Sequence, residues 1–413
     1  MTSQLRINGE RLWSRLMAMG EIGATPAGGC NRQALTDEDK MGRDLFVRWC
    51  RDAGCEIRVD AIGNVFARRN GKDDSLPAVI SGSHLDTQPT GGKFDGIYGV
   101  LAGLEVIETL NDHDVQTQHP IEAVVWTNEE GCRFDTAMMG SAVWSGAMPL
   151  KDAYALADRD GNIVAEELAR IGYQGEGEAY FGPVKAAFEA HIEQGPILEA
   201  EAKTVGVVSG VQHMSRHRIV IEGKETHAGP TPMSIRQDPM LALSDFLPRL
   251  YEMAEQHAPD ARLTFGYIHA LPGSSNTVPG QLELTVDIRH PQKSAYDAMV
   301  SGYQQYVQQS CDARGTPVSM ECFWQAPGVE FDTDCVNAVR NAVATTGYDS
   351  MELVSGAGHD ACNVAGVVPT SMIFIPCRDG LSHNEAESAE PEHVEAGCNV
   401  LLHAILDRAV VVP

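Results

Sequence analysis

The sequence predicts an α/β protein whose mostly parallel sheet is interrupted by an inserted α+β domain. Three observations carry this expectation. Short apolar strand-like runs alternate with helical runs in the first part of the chain, the middle reads β-α-β-β-α-β, and the α/β pattern resumes after Phe331. At about 150 residues per domain, 413 residues suit two or three domains. The expected division is a first domain of residues 1–212 with 327–413, and an inserted domain of residues 213–326.

Each element has a local cause. Thr36 can cap a helix, with Asp39 at the third helical position as in a capping box. Met41, Leu45, Phe46, Trp49 and Cys50 then recur at helical spacing, and Gly54 ends the run. Strand-like runs follow at 55–60, 64–68, 78–83 and 122–127, with an apolar helical stretch from Ile97 to Leu110 before the last of them. In the middle of the chain, 216–223 reads as a strand. Asp238-Pro239 opens a helix that runs to about His257 and should kink at Pro248. Strands at 262–270 and 281–289 come next. The second sets Leu282, Leu284, Val286 and Ile288 on one face and Glu283, Thr285, Asp287 and Arg289 on the other. A helix from Ser294 to about Cys311 and a strand at 317–324 complete a ferredoxin-like order, with both helices on one face of four strands. Beyond it, 351–354 and 371–376 read as strands, and a last amphipathic helix begins near Pro391.

Composition narrows the function. Hydrophobic residues make up 43% of the chain, ample material for a buried core, and the net charge is −26. Such a surface repels phosphate backbones and anionic membranes, so neither nucleic acid nor membrane is an expected partner. No apolar run approaches the roughly 18 residues needed to span a bilayer, and the first residues lack the pattern of a signal peptide. The ten cysteines include no CxxC pair, which suggests reduced, mostly buried thiols in the cytoplasm.

The candidate chemistry gathers where apolar strands end. His84 closes the run Ser81-Gly-Ser-His84, at the edge where α/β sheets collect ligands. Asp86, two residues on, is placed to accept the imidazole N–H and aim the other ring nitrogen at a metal. Asp95 sits in Gly91-Gly-Lys-Phe-Asp95-Gly96, where flanking glycines let the backbone turn tightly. The strand at 122–127 ends in Asn128-Glu129-Glu130-Gly131. Adjacent carboxylates repel and diverge, so one suits a metal and the other a water. His191 and His383 complete a set of imidazole and carboxylate donors without thiolate, which suits zinc, manganese or cobalt.

The ordered segments GSHLDT, GGKFDG, TNEEG, HIEQG, THAGPTPM, SGAGHDA and LSHNEAE resemble the M20 metallohydrolase superfamily. Within it the chain resembles the hydantoinase/carbamoylase-type amidases: N-carbamoyl-L-amino-acid hydrolases, metal-type β-ureidopropionases and allantoate amidohydrolases. The resemblance runs from about residue 8 to the C-terminus. It implies a zinc-exopeptidase-like catalytic domain carrying two divalent ions per subunit, as zinc, manganese, cobalt or nickel. His84, Asp95, Glu130, His191 and His383 would be the ligands, with Asp95 bridging, and Glu129 the general base. It also implies that the ferredoxin-like insertion is a lid and a homodimerisation surface, closing during turnover. His227 would stabilise the developing oxyanion, and Asn276 and Arg289 would hold the substrate carboxylate, with Gln194 and Gly358 bordering the substrate. For Arg289 an ion pair with Asp287 is the competing arrangement.

Peptidase relatives carry an acid where this chain has His191, so the implied reaction is amide rather than peptide hydrolysis. The substrate would be an N-carbamoyl-L-amino acid or N-carbamoyl-β-alanine, cleaved to ammonia, carbon dioxide and the free amino acid. SGSHLDTQPTGGKFDG, with AMMGS shortly after the glutamate pair, looks closer to carbamoylases than to allantoate amidohydrolases. An M20 dipeptidase or aminoacylase is a further alternative, and a binding module that has lost catalysis is disfavoured by Glu129 together with all five ligands.

Overall fold

Four strands, Ile121–Trp126, Ala78–His84, Val184–Ile192 and Thr370–Ile375, lie side by side and parallel in a computed structural model that describes residues 2–176 and 183–412. They are buried along almost their whole length, as a sheet covered on both faces requires. Antiparallel strands extend this core. Val65–Arg69 and then Glu56–Val59 continue it on one side. Val205–Val211 continues it on the other and is joined by Val329–Glu330 and Ser350–Ser355.

One face of the sheet is covered by the helix Ile97–Asp112, packed with Gly9–Gly20 and Pro391–Ala409. On the other face, Trp144 and Val364, from Met139–Trp144 and Asp360–Ala365, pack on Phe66, Ile80, Val124 and Trp126. All four central strands therefore end at one edge. The segments that follow them carry Asp86 and Asp95, the Glu129–Glu130 pair, Gln194, and His383.

The chain folds as two compact units, Met1–Ser209 with Glu330–Pro413, and Gly210–Val329. The second has four antiparallel strands in the spatial order Val318–Ala326, His213–Glu222, Gln281–His290, Arg262–Leu271. Leu282, Leu284, Val286 and Ile288 are fully buried against Phe246 and Leu250 of the helix Pro239–Gln256 and Met299 and Tyr303 of the helix Lys293–Arg314. The period-2 alternation is thus the pattern of a sheet with helices on one face only.

Local readings differ in three places. The helix Gly9–Gly20 precedes the first expected one; Asn8 caps it and Leu12, Leu16 and Met19 form its buried stripe. In the helix Asp37–Asp52, Met41 is 56% exposed, because the buried face is instead occupied by Gly42, Phe46, Cys50 and the ion pair of Asp39 with Arg43. Asp39 does not close a capping box: its carboxylate accepts from Leu35 N and Arg43 Nε. As expected, the helix opened by Asp238-Pro239 continues past Pro248, to Gln256.

Candidate metal centre

The centre is built on Asp95. Its Oδ1 lies 3.2 Å from His191 Nε2 and 3.5 Å from His84 Nε2, and its Oδ2 lies 3.6 Å from His383 Nε2. His383 Nε2 is in turn 3.3 Å from Glu130 Oε2. Two groups of donor atoms, each close enough to hold one ion, result: His84, Asp95 and His191, and Asp95, Glu130 and His383. They share only Asp95, through its two different oxygens. The five residues proposed as ligands are brought together by the ends of four strands and the loops that follow them.

Backbone geometry fixes which ring nitrogens face inward. His84 Nδ1 lies 2.8 Å from the Asp86 carbonyl and His191 Nδ1 2.9 Å from the Ile192 carbonyl. A carbonyl only accepts, so both Nδ1 atoms carry a proton and both Nε2 atoms face Asp95, with His191 Nε2 also accepting from Gly96 N at 3.1 Å. Gly96 closes the approach: its φ is +70°, and a Cβ there would stand 2.3 Å from the His84 ring. Asn128, Gln194 and His383 are also held in left-handed backbone, with φ of 54°, 57° and 54°. Such conformations cost about 1–3 kcal/mol each and gather at functional sites.

The electrostatics suit a cation. Asp95 and Glu129 are buried, with Glu130 half-buried beside them, and the three form ion pairs with His84, His191 and His383. Burial, with the neighbouring carboxylates, pushes Glu130 up to about 8 and Glu129 well above the usual carboxylate range. Burial works to lower His84, but Glu129, Asp95 and Asp86 outweigh it and hold the imidazole above its ordinary value. A divalent cation relieves this crowding of negative charge, and imidazole with carboxylate is a fitting donor set for zinc, manganese, cobalt or nickel.

Asp86 is placed differently from the expectation. The strand stops at His84, so the alternation that would put both side chains together ends there. It is the Asp86 main-chain carbonyl that meets the imidazole, while its carboxylate accepts from Glu129 N at 3.3 Å and Glu130 N at 3.2 Å. Asp86 therefore positions the glutamate pair. Asp86→Ala leaves two buried N–H groups without partners, at about 1–3 kcal/mol each. Chemical denaturation is expected to show a loss of about 2 kcal/mol or more, and a loss under about 0.5 kcal/mol contradicts this role.

Gln194 also differs. Its Nε2 donates to Asp95 Oδ2 at 2.8 Å and to Ser382 Oγ at 3.1 Å, so it braces the shared carboxylate. Gly358 borders the glutamate turn, where an added Cβ would stand 3.3 Å from Met138 Cε.

Within the second unit, Thr226–His227 pairs with Thr277–Val278, and Ala228 N donates to Asn276 O, which brings His227 and Asn276 together. His227 Nδ1 accepts from Gly229 N at 3.1 Å, which leaves the ring proton on Nε2 as a donor. Arg289 holds Asp287 in a bidentate pair at 2.6 and 3.0 Å, the competing arrangement named above. Arg216 adds a third bond to that aspartate at 3.2 Å and stacks on Trp324.

Several residues to which the sequence assigns no role support the ligands. Gln88 donates to both oxygens of Glu130, at 3.2 and 2.7 Å. His359 backs His191 at 4.6 Å between ring centres, and burial lowers it well below the ordinary histidine value. Glu189, His191 and His359 form a third close group, but Glu189 already accepts from Ser83 Oγ and Ala361 N. Ser382 and Glu387 support Asp95 from the His383 loop.

Comparison with known proteins agrees with this architecture. The profile of peptidase family M20/M25/M40 matches residues 80–407. An N-carbamoyl-L-amino-acid amidohydrolase of Rhizobium meliloti is 47% identical over 408 residues, covering 98% of each chain. An allantoate amidohydrolase of Bacillus subtilis is 32% identical over 387 residues, covering 93% of each. The crystal structure of a hydantoinase/carbamoylase family amidase from Burkholderia multivorans superposes with a TM-score of 0.96 at 51% identity over 98% of each chain.

Proposed function

We propose that this chain, which belongs to peptidase family M20/M25/M40, is an amidohydrolase that cleaves the ureido C–N bond of N-carbamoyl-L-amino acids or N-carbamoyl-β-alanine. Water is consumed, and ammonia, carbon dioxide and the free amino acid are released. The observation that carries this reading is the pair of donor groups sharing Asp95, with histidine at position 191. Its substrate class is supported by the amidohydrolase relative at 47% identity over nearly the whole chain.

Two divalent ions on His84, Asp95, Glu130, His191 and His383 would supply Lewis-acid polarisation of the ureido carbonyl and acidify a water. Glu129 would take the proton of the attacking water and return it to the leaving nitrogen. His227 donates from Nε2 to the carbonyl oxygen as it gains charge. Arg289, with Asn276, binds the substrate carboxylate, and Asp287 holds the guanidinium in place. Arg289→Lys is expected to raise KM about 10–100-fold with kcat changed far less, since an ammonium cannot span both partners. Steady-state kinetics test this, and an unchanged KM removes Arg289 from the clamp.

The second unit is proposed as a lid and homodimerisation domain, and the chain as a cytoplasmic protein. The latter is supported by ten cysteines without the spacing of a disulfide frame. Among the described residues, no helix is long and apolar enough to cross a membrane.

Allantoate, which also joins a ureido group to a carboxylate, is the second reading, supported by the Bacillus subtilis relative. Ammonia release across N-carbamoyl-β-alanine, several N-carbamoyl-L-amino acids, allantoate and a dipeptide separates the readings. Turnover of the carbamoyl compounds is expected. Release from allantoate alone would move the assignment to that substrate, and dipeptide cleavage alone would overturn the weight given to His191.

A further inference from the structure

One buried carboxylate beside the centre takes no part in the chemistry above. Glu387 Oε1 accepts from two successive main-chain N–H groups, Phe94 at 3.0 Å and Asp95 at 3.1 Å. Its Oε2 lies 3.3 Å from Ser382 Oγ, and that hydroxyl donates to Asp95 Oδ2 at 2.7 Å. The backbone and the carboxylate of Asp95 are thus both tied to the segment 382–387, which also carries His383. Gly92 records how close this contact is. A Cβ at that position would stand 2.1 Å from Glu387 Oε1 and 2.4 Å from Glu387 Cβ, so the second glycine of Gly91-Gly92 makes room for the carboxylate.

His383 needs such an anchor. It lies on a loop beyond the end of Thr370–Ile375, its side chain is 52% exposed, and its backbone is left-handed. The other imidazoles, His84 and His191, belong to buried strands. Chelation is sensitive to displacements of a few tenths of an ångström, so the group containing His383 depends on whatever fixes its loop to Asp95.

We propose that Glu387 is a positioning residue that sets the separation of Asp95 and His383 and so governs ion binding by the Asp95–Glu130–His383 group. The proposal rests on the two-ion reading. Its test is calorimetric titration of chelator-stripped, full-length protein with Zn²⁺ alone, supported by circular dichroism of the metal-free forms. Wild type is expected to bind two ions. Glu387→Ala is expected to weaken one of them about 10–100-fold and leave the other within a few-fold. Glu387→Gln, which keeps an acceptor for the two N–H groups, should recover most of that loss.

Equal affinities in wild type and Glu387→Ala overturn the proposal, as does parallel weakening of both ions. Should Glu387→Ala fail to fold, Gly92→Ala displaces the same carboxylate and is expected to weaken the same ion selectively; unchanged binding in that variant overturns the proposal. Fewer than two ions on wild type overturns the two-ion reading itself, and this proposal with it, before any variant is made.

Discussion

Glu129→Gln is expected to lower kcat about 10²–10⁴-fold while bound metal and KM stay close to those of the unmodified protein. Glu129 follows the strand Ile121–Trp126; its main-chain N–H is held by Asp86, and its Oε2 lies 3.5 Å from His84 Nε2. The amide has the same shape and can accept a hydrogen bond, but it cannot take a proton from water. The five proposed ligands are untouched, so the loss falls on proton transfer alone. Elemental analysis with steady-state kinetics distinguishes the cases. Undiminished turnover sinks the assignment of the base, and loss of metal along with turnover would make Glu129 a ligand.

Asp95→Asn is expected to abolish activity and to weaken both ions together, since each donor group uses one oxygen of this carboxylate. The effect should exceed the roughly 10–100-fold that loss of a supporting residue costs in metal affinity. The metal-free protein should lose stability too. Burial works to raise the Asp95 carboxyl, but His191 and His84 outweigh it and hold it well below the usual carboxylate range, so its charge favours the fold and metal-free Asp95→Asn should melt below metal-free wild type. Binding to the folded state stabilises by about 2.7 kcal/mol per ion at a hundredfold excess over Kd, and this increment should vanish in the variant. Thermal melts with and without added metal test both statements. A variant that keeps one metal-dependent increment contradicts the sharing of Asp95.

The sheet edge is legible in the sequence because apolar runs such as 123–126 end abruptly in polar, glycine-flanked segments. The inserted unit is legible because Leu282, Leu284, Val286 and Ile288 alternate with polar residues, and a one-sided sheet imposes that pattern. The five candidate ligands stand at those ends, and residue type does the rest. What escapes is the contact between loops distant in the chain. Glu387 meets Phe94 and Asp95 across nearly three hundred residues, and no periodicity links a loop to another loop. Asp86 and Gln194 show the same limit from closer in. Their residue types suggest the neighbourhood, but a strand that stops at His84 and a left-handed turn at Gln194 decide which atoms they meet. The helix Gly9–Gly20 is a different matter: Asn8 and the spacing of Leu12, Leu16 and Met19 carry enough signal to find it.

The most direct test of the central claim is ammonia release from an N-carbamoyl-L-amino acid by chelator-stripped protein as a divalent ion is added back. The expected result is no turnover in the stripped protein and recovery that saturates at two ions per chain. Full turnover without metal, or recovery that leaves every ureido substrate intact while a dipeptide is cleaved, would contradict it.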